Sequence, residues 1–170
     1  MRASALALLA LSSLAPAALA PAAGAADADG CRDLPILPRI NACEIRECRT
    51  RDYDEAELQS GPVDRSGDFP KAFVDGQLAV VTYTCPAALR LAEIARQSQA
   101  TLRRAGYSFV YSGSMFYNDL PGFTARRGTT WVQLVSEPFD ALSGYTVTMV
   151  RANEVSGAPG RPPSARPSRR

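Results

Sequence analysis

The side chains able to do chemistry in this chain are few, and one kind is missing. Histidine is absent. That removes Ser-His-Asp and Cys-His nucleophiles and imidazole metal ligands. What remains is four cysteines (Cys31, Cys43, Cys48 and Cys85) and a run of carboxylates at Asp52, Asp54, Glu55 and Glu57. Two carboxyl groups at a set separation are enough for glycosidase-like acid–base work. The same run also describes a solvated strand edge beside a charged loop, which is the commoner arrangement on a surface and the preferred reading. No catalytic residue is assigned. Ser112-Gly113-Ser114 lacks the flanks of a nucleophile elbow and reads as a turn.

The cysteines are even in number and contain no C-x-x-C, which argues against a redox motif or a zinc knuckle. In an oxidising compartment disulfides are the default. Cys43 and Cys48 fall on one predicted strand at odd spacing, so their side chains point to opposite faces. Their separation along an extended chain, at about 3.3 Å per residue, far exceeds the roughly 5.5–6 Å between Cα atoms that a disulfide spans. Each therefore bonds to Cys31 or to Cys85, and two pairings remain open. No metal and no cofactor is expected.

The oxidising compartment is itself a reading of the N-terminus. Met1-Arg2 is a short basic start, Ala5 to Leu19 is a Leu/Ala run, and small residues continue to Ala26. The apolar part is too short to span a bilayer and has the form of a secretory signal peptide over 1–26, cut after Ala25 or Ala26. Residues 27–155 then read as a single domain. Residues 156–170, with Arg161, Arg166, Arg169 and Arg170 among prolines and no acid, cannot bury apolar surface and are expected to be disordered. The net positive charge of the whole chain, +2, is thus a property of this tail. The expected location is the periplasm or the cell exterior. No transmembrane segment follows the leader, and no nucleic-acid partner is expected.

The elements that must position these groups centre on Gln77 to Gly113. Leu91, Ile94, Ala95, Ser98, Leu102 and Ala105 recur at one-face helical spacing. Pro86 suits the first helical position and Gly106 the left-handed residue after the last, giving a helix over about 86–105. Ala79, Val81, Tyr83 and Cys85 alternate with their neighbours before it, and Tyr107, Phe109 and Tyr111 after it, as strands. Leu91, Ile94 and Leu102 are expected to bury against Val81, Tyr83, Phe109 and Val147 or Met149. Glu44–Cys48 and Tyr53–Leu58 read as two short strands, and Ser60–Pro70 as a loop. Ser114–Gly122 reads as a turn, Phe123–Arg126 and Thr130–Val135 as strands, and Ser136–Gly144 as a loop. Tyr145–Val150 has the cleanest strand alternation in the chain. The fold class is α+β, an antiparallel sheet of about six or seven strands with one main helix packed on it. Tyr83 and Phe109 are expected in the core. Phe116, Tyr117 and Phe123 sit beside turns and are the candidate binding residues for a groove that takes a glycan or a peptide.

Several stretches carry a resemblance. Gly30-Cys31-Arg32-Asp33-Leu34-Pro35, then Arg39, then Ile45 to Cys48, Tyr53-Asp54, Leu91 to Gly106, Trp131-Val132 and Tyr145 to Glu154 resemble a family of exported bacterial domains of unknown function. Its members occur ahead of OmpA-like peptidoglycan-binding domains, and sometimes alone. The resemblance implies an envelope location and brings no catalytic residues. It also implies Cys31–Cys48, which leaves Cys43–Cys85, with the swapped pairing as the alternative. Leu34 stands where the family commonly has His. No OmpA-like domain follows Val155 in this sequence, so peptidoglycan binding through that module is not implied. The function expected is a non-enzymatic envelope binding or structural module, with another envelope protein or a glycan as partner. The alternatives are a carboxylate-dependent hydrolase and a secreted inhibitor or effector.

Overall fold

The computed structural model describes residues 27–116 and 119–153. Residues 1–26, which read as a leader, Tyr117, and residues 156–170, which read as a disordered tail, lie outside them. The elements run β1 (Glu44–Gln59), β2 (Lys71–Cys85), α1 (Leu91–Arg104), β3 (Ser108–Met115), β4 (Leu120–Arg127), β5 (Thr130–Phe139) and β6 (Leu142–Ala152). The strands form one antiparallel sheet of six in the order β1-β2-β6-β5-β4-β3, with the helix packed on it.

Helix α1 buries Ile94, Ala95, Ser98 and Leu102 against β4, β5 and β6, while Leu91 is half-buried. It begins later than Pro86. Pro86 instead opens a turn whose carbonyl accepts from Leu89 N–H, and Arg90 remains extended (φ −73°, ψ 140°) as the residue before the helix. The strand end is tied at Cys85, so the chain needs this turn to climb onto the sheet before it can coil. The other end follows the sequence. Gly106 takes φ +80°, its N–H donates to the Arg103 carbonyl, and Tyr107 N–H donates to the Leu102 carbonyl, which satisfies the last carbonyls of the helix.

Under the helix, Val81, Tyr83, Phe123, Ala125, Val132, Leu134, Tyr145 and Val147 fill the first face of the sheet. Each strand gives alternate residues to that face, as its pleat requires. The opposite face has its own smaller cluster of Leu58, Val74, Leu78 and Val150, because the far half of the β1–β2 hairpin curls over it. Burying a side chain of this size contributes about 1.5–3 kcal/mol.

Four segments differ from their sequence reading, each for a physical reason. The two short strands of the first hairpin are one strand, β1, with register breaks between Ile45 and Glu47 and between Arg51 and Asp54. Its middle is solvent-exposed, so it pairs through its backbone and shows no apolar alternation. Ser112-Gly113-Ser114 lies within β3, not in a turn. Pro121-Gly122 is likewise inside β4. Gly122 lies between Gly113 and Val135, where an added Cβ would come within 2.3 Å of the Leu134 carbonyl oxygen, so this glycine serves close strand approach. Ser136–Gly144 is a hairpin rather than a loop. Phe139 pairs with Leu142, and Asp140 turns the chain at φ +53°.

Candidate binding cleft

The N-terminal coil, residues 27–43, lies across the helix-bearing face and is fixed there from both ends. Cys31 is bonded to Cys48 on β1 and Cys43 to Cys85 at the end of β2, with Cα atoms 5.7 and 4.2 Å apart. Between the two bonds, Leu34 and Leu37 are buried and pair with each other across a tight turn.

Arg39 organises the polar side of the coil. Its Nη1 and Nη2 donate to the two oxygens of Asp27 at 2.6 and 2.8 Å, and its Nε donates to Asp33 at 2.9 Å. Asp27 also accepts from Ile45 N–H at 2.9 Å, and Asp33 accepts from the Tyr83 hydroxyl at 3.2 Å. Tyr145, stacked on Tyr83 with ring centroids 4.6 Å apart, accepts from Ile40 N–H at 3.1 Å. The network therefore runs from the coil to β1, β2 and β6. The Arg39 guanidinium, followed by the Ile45 N–H, holds the Asp27 carboxyl below its ordinary range, and Asp27 in turn keeps Arg39 firmly charged. Burial pushes both phenols up, Tyr145 to about 12.

Between this coil and the outer flank of α1 is an open cleft of about 600 Å³. Its polar lining comes from Arg39 and Asn41 on the coil and from Gln97, Ser98, Thr101 and Arg104 on the helix. Next to it, Ala42 adopts φ +67°. A non-glycine residue in that region is held by its surroundings, here the turn closed by Cys43 N–H on the Ile40 carbonyl and the disulfide that follows. The lining holds amides, two hydroxyls and guanidinium groups, with no carboxylate or thiol among the described residues. Such a surface can orient a polar or anionic ligand by hydrogen bonds but has no pair to exchange a proton with it.

The candidate residues read from sequence lie elsewhere. Phe123 is fully buried, edge-on to Phe109 at 5.3 Å, and presents no surface to a ligand. Phe116 is half-buried against Phe69, with centroids 5.7 Å apart. Tyr117 is outside the described residues, so the aromatic groove has no exposed member among those that are described. Asp52, Asp54, Glu55 and Glu57 stand along the outer strand β1. Glu57 pairs there with Lys71 at 2.6 Å, and Asp54 accepts the N–H of Glu55. No group of three or more His, Cys, Asp or Glu is placed to hold a metal ion among the described residues. No helix among them is long and apolar enough to cross a membrane. Sequence reasoning missed the partners of Arg39. Asp27 and Asp33 are brought to it by the fold of an irregular coil, which has no periodicity to read.

No family model matches the chain, and no curated protein matches it.

Proposed function

We propose that this chain is a non-enzymatic binding module of the cell envelope, delivered to the periplasm or the cell exterior, with a glycan or another envelope protein as its partner. The observation that carries this reading is the cleft between residues 37–41 and α1. Two disulfides and an ion-paired arginine hold its wall, and its polar lining has no acid–base pair. Side-chain amides, hydroxyls and an arginine are groups that grip sugar hydroxyls and ligand carboxylates. The leader-like N-terminus and the two disulfides both fit an oxidising destination.

The test uses soluble glycan fragments released from bacterial cell wall, titrated calorimetrically into the oxidised protein, alongside the Gln97→Ala and Arg104→Ala variants. Both residues are on the outer flank of the helix, so the fold should survive their loss. Saturable heat that both variants reduce is the expected result. Equal binding by all three proteins would remove the cleft from the reading. Fragment cleavage abolished by Glu57→Gln would instead favour the carboxylate-dependent hydrolase.

A further inference from the structure

The far half of the β1–β2 hairpin, from the Asp54–Gly76 pair to the Gln59–Lys71 pair, is a ribbon with two unlike faces. Its inner face puts Ala56, Leu58, Ala72 and Val74 on the smaller apolar cluster. Its outer face presents Tyr53, Glu55 and Glu57 from β1 and Lys71, Phe73 and Asp75 from β2, all exposed. Tyr53 and Phe73, at 63% and 59%, are the most exposed of the large apolar side chains among the described residues. Both are on this one face, where two aromatics left in water mark a surface that something covers.

The charges on the face are out of balance. Glu57 stands opposite Phe73 and is paired with Lys71 at 2.6 Å. Glu55 stands directly opposite Asp75, a cross-strand pair of like charges that weakens a sheet. Neither has an ion pair among the described residues. The Tyr53 hydroxyl donates to Asp75 at 3.1 Å. That bond, followed by the charges of Asp75 and Glu55, raises the Tyr53 pKa above its ordinary value, so the face holds a proton more firmly than water does. Carboxylates set among exposed rings suit arginine above other cations. Its flat guanidinium stacks on a ring while its N–H groups fork onto a carboxylate.

The chain carries such groups close by. Ala152, at the end of β6, pairs with Gly76, the residue next to Asp75. Beyond Ala152 the sequence has Arg161, Arg166, Arg169 and Arg170 and a single acid, Glu154. Arg161 is nine residues past Ala152, a reach of roughly 30 Å for extended chain, whereas Phe73 is three residues from Gly76, about 10 Å. We propose that the arginines of residues 156–170 bind the outer face of the β1–β2 ribbon in the same molecule, stacking on Tyr53 and Phe73 and pairing with Glu55 and Asp75. A tether this short gives an effective concentration on the order of millimolar, so weak contacts suffice. The ribbon is then an arginine-binding surface that the chain itself occupies, and a basic partner must displace residues 156–170 to reach it. This inference does not depend on the coil–helix cleft.

The test compares the oxidised full chain with a full-length variant carrying Arg161→Gln, Arg166→Gln, Arg169→Gln and Arg170→Gln, by NMR of the backbone amides. A synthetic peptide of residues 156–170 is titrated into both. The expected result is amide shifts between the two proteins concentrated at 53–57 and 71–75. They should vanish in about 1 M salt, where charges are screened beyond roughly 3 Å. The peptide should bind the glutamine variant about tenfold more tightly than the wild type, whose face is already occupied. Adding Asp75→Lys, an exposed change, to the glutamine variant should remove that binding. The proposal is overturned if the two proteins agree over 53–57 and 71–75, if the peptide binds both equally, or if Asp75→Lys leaves its affinity unchanged. Shifts that grow with protein concentration would assign the arginines to a second copy and also overturn it.

Discussion

The side chain of Gln59, the last residue of β1, accepts a hydrogen bond from the backbone N–H of Phe116, the first residue beyond β3, at 2.8 Å. Its amide nitrogen donates to the carbonyls of Gly61 and Ser114 at 2.8 and 3.3 Å, and its own carbonyl accepts from the Thr124 hydroxyl at 2.6 Å. β1 and β3 are opposite edges of the sheet. One buried carboxamide therefore joins the two edges at one end, where no backbone ladder does. Gln59→Leu fills a similar volume but leaves Phe116 N–H and Ser114 C=O without that partner. It is expected to cost about 1–3 kcal/mol. Urea melts should show a lower midpoint with an unchanged slope, and an unchanged midpoint would mean the join carries no stability.

Leu102 is fully buried on the inner stripe of α1. Leu102→Ala is expected to cost about 2–5 kcal/mol, the range for a large core side chain cut to a methyl. A loss no larger than an exposed position gives would mean that the helix does not anchor on that residue.

The helix and β6 were legible in the sequence because each has one buried face and one exposed face, so periodicity reports them directly. The middle of β1 was not. Around Arg49 and Asp52 neither side is buried, and an edge strand held by its backbone leaves no apolar pattern. Gly122 falls in a stretch that reads as a turn and Gly144 in one that reads as a loop, yet both lie inside strands against close neighbours, and composition does not separate those uses of glycine. At the cleft, four cysteines narrowed the ways of tethering the coil, but spacing could not choose between the two pairings left. The Asp27–Arg39–Asp33 cluster depends on an irregular backbone path, so only the folded chain brings its members together.

The tethers can be removed singly. Cys31–Cys48 spans 17 residues and Cys43–Cys85 spans 42. On the chain-entropy account, replacing each pair by serine should cost about 3 and about 4 kcal/mol respectively. Loss of Cys43–Cys85 should also raise amide exchange in residues 37–43 and weaken any ligand of the coil–helix cleft. Non-reducing peptide mapping of the wild type checks the pairing, and equal exchange in the double-serine variant would refute the tethering role.

The stacked phenols set an alkaline limit. Tyr83 and Tyr145 have raised pKa values in the fold, through burial first. Their ordinary value is 10.0, and Tyr145 is pushed up to about 12. The folded state thus holds these protons more tightly than the unfolded chain. Their contribution is complete below the ordinary value and is lost as pH rises from there through the folded value. Denaturant melts across that window should show falling stability, with tyrosinate absorbance of the buried pair appearing late. Tyr145→Phe should flatten the decline, and an identical decline in that variant would place its cause elsewhere.

Asp27 shifts the other way. Its carboxyl is held low by Arg39 and then by the Ile45 N–H, so what it contributes is present above the ordinary carboxylate value of 3.8 and is lost as pH falls through the lowered one. Asp27→Asn should make the coil more mobile at neutral pH, read as faster exchange of the Ile45 amide. It should also reduce the acid sensitivity of that exchange. An unchanged Ile45 amide would show that the contact is incidental.

The strand order has a consequence for how the chain acquires its structure. β6, the last strand among the described residues, sits between β2 and β5 at the middle of the sheet. Until Leu142–Ala152 arrives, the β1–β2 hairpin and the β3–β4–β5 meander are separate half-sheets, each with an open inner edge and with the helix as their covalent link. Pairing β6 to β2 closes a loop that includes the helix and three strands, which places this slow, non-local step after β1 to β5 have been made. A chain stopped before Leu142 should therefore be aggregation-prone rather than partly functional, because its two inner edges have nothing else to pair with.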